Sequence, residues 1–425
     1  VASSKYNYLG INVLEAAKQR IRTAITEHED FYVSFSGGKD SGVMVNLVLE
    51  AARELGRTPV KVVFSDLEVI YQETARYVAS IFENPDIDPY WLCLEEYDDN
   101  ASSMFERYFK IWDRSLENHQ YVRDMPTMPY VINNDNMPAW LEPHYDTAKQ
   151  KIGDWVLTHM GEAFADRDGA SNIVAFIAVR TDESYGRLMN VRTSKHRRKK
   201  NNHTYRYARK QLPRTWMCMP MYDWKVSDVW HYYAITGLEY SRVYDQMMRM
   251  GISPHAQRTC SAFGDEQKQG LYQWCVIEPD TWERMVTRVA GANFGKRYNH
   301  TNLNSRKVRK PESLTWKEYT NLLLATLPAE VRDIFNEKFA ITFRYHKTMY
   351  EDKEGIPPEI YIQDSRKEMR EAMKREGLSY KYFITWEDFA GAIIKRDFVF
   401  KRYGFGYSRK MEVKVQERID KWQQL

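Results

Sequence analysis

At 425 residues, with 43% hydrophobic and 28% charged side chains, the chain has the composition of a soluble globular protein and exceeds one ordinary core, so two or three domains, or one large domain with insertions, are expected. It lacks the run of roughly eighteen apolar residues that a membrane span requires and the basic-then-apolar opening of a signal peptide, so no membrane partner and a cytoplasmic location are expected. The formal net charge is +4, yet Arg192 to Arg214 holds ten Lys and Arg and no acid, which leaves about −6 for the remainder.

Ile11 to His28 carries apolar residues at Val13, Ala16, Ala17, Ile21, Ala24 and Ile25, the spacing of an amphipathic lead-in helix. The apolar run Phe31 to Phe35 predicts a first strand, and Val43 to Glu54 a helix behind it. Val60 to Phe64, β-branched and bounded by turn residues, reads as a second buried strand, with a helix over Gln72 to Phe82 after it. Tyr90 to Leu94 and Ile173 to Val179 read as the third and fourth strands. Strands alternating with helices predict an α/β fold, a parallel twisted sheet flanked by helices, with its ligand at the carboxyl ends of the strands.

Residues 98–170, rich in Trp, Tyr, Asp, Asn and Pro, interrupt that alternation for too long to lack structure, and a mostly helical insertion lying over the site is expected there. Beyond about residue 310 the pattern is helical and rich in Lys, Arg, Trp and Tyr, as in Trp316 to Leu327, Ser365 to Glu376 and Glu412 to Trp422. The expected division is a first domain over 1–295, carrying the 98–170 insertion and a basic loop at 192–214, and a helical, basic and aromatic domain over 296–425.

The sharpest signal is Ser36-Gly37-Gly38-Lys39-Asp40-Ser41, where the first strand gives way to its helix. A glycine-rich turn at a helix N-terminus lets backbone N–H groups converge on a phosphate. Gly37 and Gly38 permit close backbone approach, Ser36 and Ser41 supply hydroxyls, Lys39 a point charge, and Asp40 a cap or a contact to a hydrated metal. The spacing is not that of a Walker A loop. A plain capped strand-to-helix turn is the alternative.

This run resembles the S-G-G-K-D-S pyrophosphate loop of the ATP pyrophosphatase and phosphoadenosine phosphosulfate reductase superfamily, which implies an adenine nucleotide alpha hydrolase-like, Rossmann-like fold. Phe64-Ser-Asp66-Leu-Glu68, with Glu73-Thr74, resembles the superfamily's nucleotide-contacting F-x-D-T-G segment, although Leu67-Glu68 replaces Thr-Gly. Arg180-Thr-Asp-Glu-Ser184-Tyr-Gly-Arg187 resembles the R-x-x-x-S-x-x-R element of reductases and sulfurylase relatives, and Pro220 to Trp230 the segment that closes the reductase core. With the long insertion and the Trp-rich basic tail, the combination most resembles the immunoglobulin-binding regulator A branch.

The resemblance implies ATP as ligand with Mg²⁺, held by Ser34, Ser36, Gly37, Gly38, Lys39, Asp40, Ser41, Asp66, Glu68 and Ser184. Lys39, Asp40, Arg180 and Arg187 are the implied catalytic residues, and Asp40 and Asp66 the implied metal contacts. From the residues alone, Asp66 equally suits a strand-end cap, and Arg180 and Arg187 a surface ion-pair cluster with Asp182 and Glu183.

The chain departs from the reductases in lacking their terminal E-C-G-L-H, so reduction through that cysteine is not expected. Its four cysteines, Cys93, Cys218, Cys260 and Cys275, are too scattered for a disulfide framework. An iron-sulfur cluster, which some relatives carry, needs about four thiolates, and a buried small hydrophobe is the commoner use of Cys93 and Cys275. Cys260, beside Arg258, is the candidate reactive thiol. Lys195, Arg197, Arg198, Lys199 and Lys200, followed by Tyr205 and Tyr207, mix cations with stacking residues and suit either a nucleic-acid or protein partner or a solvated loop, and the C-terminal domain can extend the same surface. Three functions stay open: adenylyl transfer from ATP with release of pyrophosphate, sulfonucleotide binding or reduction, and nucleotide-dependent regulation at a nucleic acid.

Overall fold

The computed structural model describes residues 10–103, 106, 108–116, 120–145, 155–184, 187–188, 191, 207–259, 261–264, 267–298, 308–351, 362–375 and 384–395. These divide into two compact units. The first comprises 1–99, 109–267 and 273–288. The second comprises 100–108, 268–272 and 289–425.

The first unit is built on one sheet. The strands are β1 (Asp30–Ser34), β2 (Val60–Ser65), β3 (Ile87–Cys93), β6 (Val131–Asn133), β7 (Ile173–Ile177), β8 (Ala208–Lys210) and β9 (Thr215–Cys218), in the order β6-β3-β2-β1-β7-β9-β8. A two-stranded ribbon of β4 (Glu96–Asp99) and β5 (Tyr108–Ile111) stands apart from it. All pairs in the large sheet are parallel except β8 with β9. Helices α1 (Val13–Glu27), α2 (Lys39–Glu54), α3 (Gln72–Phe82) and α4 (Trp155–Asp168) flank it.

β1 is apolar along its middle because it is central. Val33 lies opposite Val62 on one side and Phe176 on the other, and Phe31, Tyr32 and Val33 are all buried. Tyr32, Val63, Leu92, Phe164 and Ile173 share one core cluster. α1 begins at Asn12, whose side chain accepts from Glu15 N, and buries the expected Ala16, Ala17, Ile21, Ala24 and Ile25.

The order of the strands matters more than their number. From β1 the chain moves outward through β2 and β3 to β6, then returns to β7 on the opposite side of β1. The direction of winding reverses between β1 and β7, and such a switch point opens a crevice beyond the carboxyl ends of the strands. The Ser36 to Ser41 turn leaves the sheet at the end of β1, at that crevice.

The expected helical insertion at 98–170 needs correction. Among its described residues the helical parts are the short turn Glu142–His144 and α4, and the rest contributes β5 and β6, with β6 extending the parallel sheet beside β3. Asn, Asp and Pro there serve turns: Asn133 Oδ1 accepts from Asp135 N at 2.8 Å, and Asn136 Oδ1 from Asn133 N at 2.7 Å.

In the second unit Phe335, Phe339, Ile384, Phe389 and Ile393 form the core. Thr315 with Glu318 and Thr385 with Asp388 make capping boxes that start helices Trp316–Ala325 and Trp386–Ile394. Arg366–Arg375 is helical near the expected bounds, whereas Glu412 to Trp422 lies outside the described residues. Among the described residues no helix is long and apolar enough to cross a membrane.

Candidate functional site

The glycine turn is shaped by two requirements, a left-handed backbone and close packing. Gly37 has φ +69, and a Cβ there would stand 2.6 Å from Thr74 Cγ2 and 2.9 Å from Val78 Cγ2 on α3. Gly38 is the N-cap of α2 with no side-chain hydrogen bond to the first turn. The turn closes on itself through hydroxyls: Ser41 Oγ lies 2.9 Å from Ser36 Oγ and donates to Gly38 O at 3.0 Å.

Tyrosines that no sequence motif singles out hold the start of α2. Tyr244, on helix Val243–Arg249, accepts from Lys39 N at 3.1 Å, and Tyr233 donates to Lys39 O at 2.7 Å. Gly42 makes room for them, since a Cβ would lie 2.3 Å from Tyr77 Oη and 2.5 Å from Tyr233 Oη. Burial pushes the Tyr77 and Tyr233 phenols up, so both stay neutral.

Lys39, Asp40 and Arg180 come together at this turn. Lys39 is 4% exposed; its Nζ donates to Gln257 O at 3.1 Å, lies 3.7 Å from Asp40 Oδ2 and faces the Tyr244 ring at 4.7 Å. Arg180, beyond the end of β7, donates from Nε to Asp40 Oδ1 at 2.5 Å. Its Nη1 lies 3.7 Å from Asp182 and has no hydrogen-bond partner among the described residues, although Arg180 is 3% exposed. Buried guanidinium N–H groups are rarely left so, and this one suits an anion. Thr259, in the strand-free segment after helix Val243–Arg249, reaches Tyr244 Oη at 3.1 Å and would stand 3.3 Å from a Cβ on Gly38.

Arg187 behaves differently. It forms an ion pair with Glu183 one turn earlier, and its backbone N–H donates to Ser184 Oγ at 3.2 Å. Ser34 belongs to the sheet ladder, opposite Val63 and Ile177.

Asp66 and Glu68 belong to a second network. Asp66 accepts from Trp91 Nε1 at 2.8 Å and from Glu68 N at 3.0 Å, and Arg123 closes an ion pair on it. Glu68, with φ +62, accepts from Trp112 N at 2.6 Å and Val122 N at 2.9 Å, with Arg288 at 3.5 Å. Burial raises the Glu68 carboxyl while Arg288 and the two N–H groups oppose the rise. Asp40 and Asp66 therefore each hold an arginine, in separate networks, and among the described residues no group of three or more His, Cys, Asp or Glu is placed to hold a metal.

Cys93 and Cys218 are buried on β3 and β9, and burial pushes both thiols up, as it does for inert core cysteines. Cys275 is half-buried, on helix Leu271–Ile277. Cys260 and the basic run Lys195 to Lys200 lie outside the described residues. Trp224, in the segment matched to the reductase closing element, is buried and donates to Val13 O at 3.0 Å, a packing role.

Two family patterns match the chain. Residues 30–268 match the phosphoadenosine phosphosulfate reductase domain, and residues 251–384 match a domain of unknown function, DUF3440. An uncharacterized protein of Escherichia coli K12, YbdN, is 32% identical over 358 residues, covering 82% of each chain. Among solved structures, Candida glabrata FMN adenylyltransferase aligns with 56% of this chain at 11% identity and a TM-score of 0.31, and the chain spans 62% of that protein, less than two thirds of its length. Candida auris phosphoadenylyl-sulfate reductase in its phosphate complex aligns at 10% identity and a TM-score of 0.27, covering 54% of this chain and 83% of that one. The U34-tRNA thiolase NcsA of Methanococcus maripaludis, with its [4Fe-4S] cluster, aligns at 10% identity and a TM-score of 0.29, covering 73% and 84%. The reductase-domain match takes in the glycine turn, the Arg180 element and Trp224 alike, and by that match, over more than half its length, the chain belongs to the phosphoadenosine phosphosulfate reductase domain family.

Proposed function

We propose that this protein binds ATP with its pyrophosphate on Ser36 to Ser41 and transfers the adenylyl group to an acceptor, releasing pyrophosphate. The observation that carries this reading is the convergence of Lys39, the start of α2 and the buried Arg180 guanidinium, whose Nη1 has no hydrogen-bond partner among the described residues, at the switch point of the sheet. ATP enters as its magnesium complex, the cation being part of the substrate. Gly37 and Gly38 let the backbone N–H groups meet the phosphate oxygens. Lys39 exchanges Gln257 O for the β- and γ-phosphates, and Asp40 holds Arg180 so that Nη1 faces the charge that grows on the leaving group.

The acceptor's lone pair bonds to the α-phosphorus, and the bond to the bridging oxygen breaks with its electrons going to pyrophosphate. The residues supply position and charge, which carry most of the rate in such transfers. Asp66 and Glu68 enter as supports that fix the end of β2, through Arg123, Trp91 and Trp112.

The test is to incubate the purified protein with α-labelled ATP and cell extract. Label on an acceptor with stoichiometric pyrophosphate, absent in Lys39→Ala, is the expected result. Consumption of ATP with the label left on ADP contradicts it. Family membership also favours a sulfonucleotide as ligand. That reading predicts tighter binding of a 3′-phosphorylated sulfonucleotide than of ATP, and calorimetry separates the two.

A further inference from the structure

We infer that the segment 252–259 is a plug: it sits on the glycine turn where the pyrophosphate of the nucleotide is to lie, and the phosphate charge of the ligand displaces it. This rests on the nucleotide reading above and adds how the site is kept closed. The segment follows helix Val243–Arg249 and carries no strand or helix of its own. It starts after Gly251, whose φ of +76 turns the chain away from that helix. Ser253, His255 and Ala256 are exposed, whereas Ile252 and Gln257 are buried, at 8% and 1% exposure.

The buried side of the segment meets the turn at the groups a phosphate would need. Lys39 Nζ donates to Gln257 O at 3.1 Å, so the lysine of the turn is occupied by a backbone carbonyl. Lys39 N, the first N–H of α2, donates to Tyr244 Oη, and Thr259 Oγ1 lies 3.1 Å from that hydroxyl. Thr259 Oγ1 and Tyr244 Oη would each stand 3.3 Å from a Cβ on Gly38, close against the backbone that a phosphate oxygen has to approach. Each of these acceptors is a neutral oxygen, weaker than an anionic phosphate oxygen towards the same donors. Arg258, between Gln257 and Thr259, donates from Nη2 to Glu183 O at 3.3 Å, so the segment also closes on the loop after Arg180.

The seat leaves one polar group unsatisfied. Gln257 Nε2 donates to Ile252 O at 3.0 Å, yet its Oε1 is buried with no hydrogen-bond partner among the described residues. An amide oxygen left this way weighs against the closed position and regains partners in water once the segment lifts. The contacts to the turn offset that cost, and a ligand that takes the turn removes the offset. Displacement is a competition for shared donors, so its strength follows the charge of the ligand. A di- or triphosphate brings anionic oxygens to Lys39 Nζ and Lys39 N together, whereas an uncharged nucleoside brings none. The plug therefore selects ligands that carry a pyrophosphate group, and it reseats only after pyrophosphate has left.

The experiment follows backbone hydrogen exchange of the full chain, read by mass spectrometry, with magnesium pyrophosphate, magnesium-ATP or adenosine added. Both phosphate ligands are expected to slow exchange at 36–42 and to speed it at 252–259, and adenosine to leave 252–259 unchanged. Slower exchange at both stretches overturns the plug and makes the segment a wall of the occupied site. Protection of 36–42 with 252–259 unchanged, or opening of the segment by adenosine, overturns it as well. No change at 36–42 with either phosphate ligand overturns the nucleotide reading itself. Thr259→Val gives an independent check, because it removes a hydroxyl contact of the closed state. Magnesium-ATP is expected to bind this variant about 2- to 10-fold tighter, the equivalent of one hydrogen bond. Unchanged or weaker binding, once circular dichroism shows the variant folded, overturns the plug.

Discussion

Gly37 concentrates the physical demands of the site in one residue. Its φ of +69 disfavours any side chain, and the Cβ of an alanine would meet Thr74 and Val78 at 2.6 and 2.9 Å. Gly37→Ala is expected to lower stability by about 1–3 kcal/mol and to weaken ATP binding, measurable by denaturant unfolding and calorimetry. Glu96, buried on β4 with Oε1 accepting no hydrogen bond among the described residues, gives a second residue-level test. Its carboxyl rises from an ordinary 4.5 to about 7 in the folded chain, so between those values the native state binds more protons than the unfolded one. Stability therefore falls as pH rises through that window and is flat above it. Glu96→Gln removes the penalty, and at pH 8 should melt higher than the wild type, by up to roughly 3 kcal/mol, with the difference vanishing near pH 4. Equal pH dependence in both proteins would contradict the burial of this carboxyl beside Asp98. Of these two residues only Gly37 was legible in the sequence, because a glycine pair between an apolar strand and a helix marks a turn that excludes side chains, whereas Glu96 acquires its character from Asp98 and from burial.

The elements divide into those that announce themselves and those that depend on distant partners. β1, α2, β2, α3 and β7 follow from apolar runs and periodicity, since a central parallel strand is apolar on both faces. β6, β8 and β9, of three or four residues, are too short to carry a period, and β6 exists because β3 offers it an edge. The same limit hid the partners of Asp66. Its resemblance to a nucleotide-contacting residue was plain, yet Arg123 comes from 57 residues further on and Trp112 from 46. Removing the carboxylate strands a buried guanidinium, so Asp66→Ala is expected to cost about 3–5 kcal/mol, read by chemical unfolding. A loss confined to ATP affinity, with stability intact, would instead make Asp66 a ligand contact. At the start of helix Val243–Arg249, Tyr244→Phe frees Lys39 N and should lower stability by about 1 kcal/mol. Retained stability together with unchanged ATP affinity would show that this hydroxyl does not organise the turn.

For the whole molecule, the first compact unit suffices to explain the nucleotide site, because the turn, Arg180 and the 251–264 segment all belong to it. The five cations Lys195, Arg197, Arg198, Lys199 and Lys200 are assigned no part in that site. Changing all five to glutamate should leave ATP affinity within about twofold, while any nucleic-acid binding would weaken and lose salt dependence. The family and the parallel sheet were legible from the glycine turn and the segments after it, whereas the strand order and the reaction were not, because a pyrophosphate loop specifies the leaving group and leaves the acceptor to other elements. Nucleotide capture by the glycine turn is tested most directly by calorimetric titration of magnesium-ATP into the wild type and into Lys39→Ala. One site is predicted in the wild type, with an affinity about 10- to 100-fold lower in the variant, the loss of a charge-assisted phosphate contact worth about 1.5–3 kcal/mol. Equal affinities, or no binding by the wild type, would contradict it.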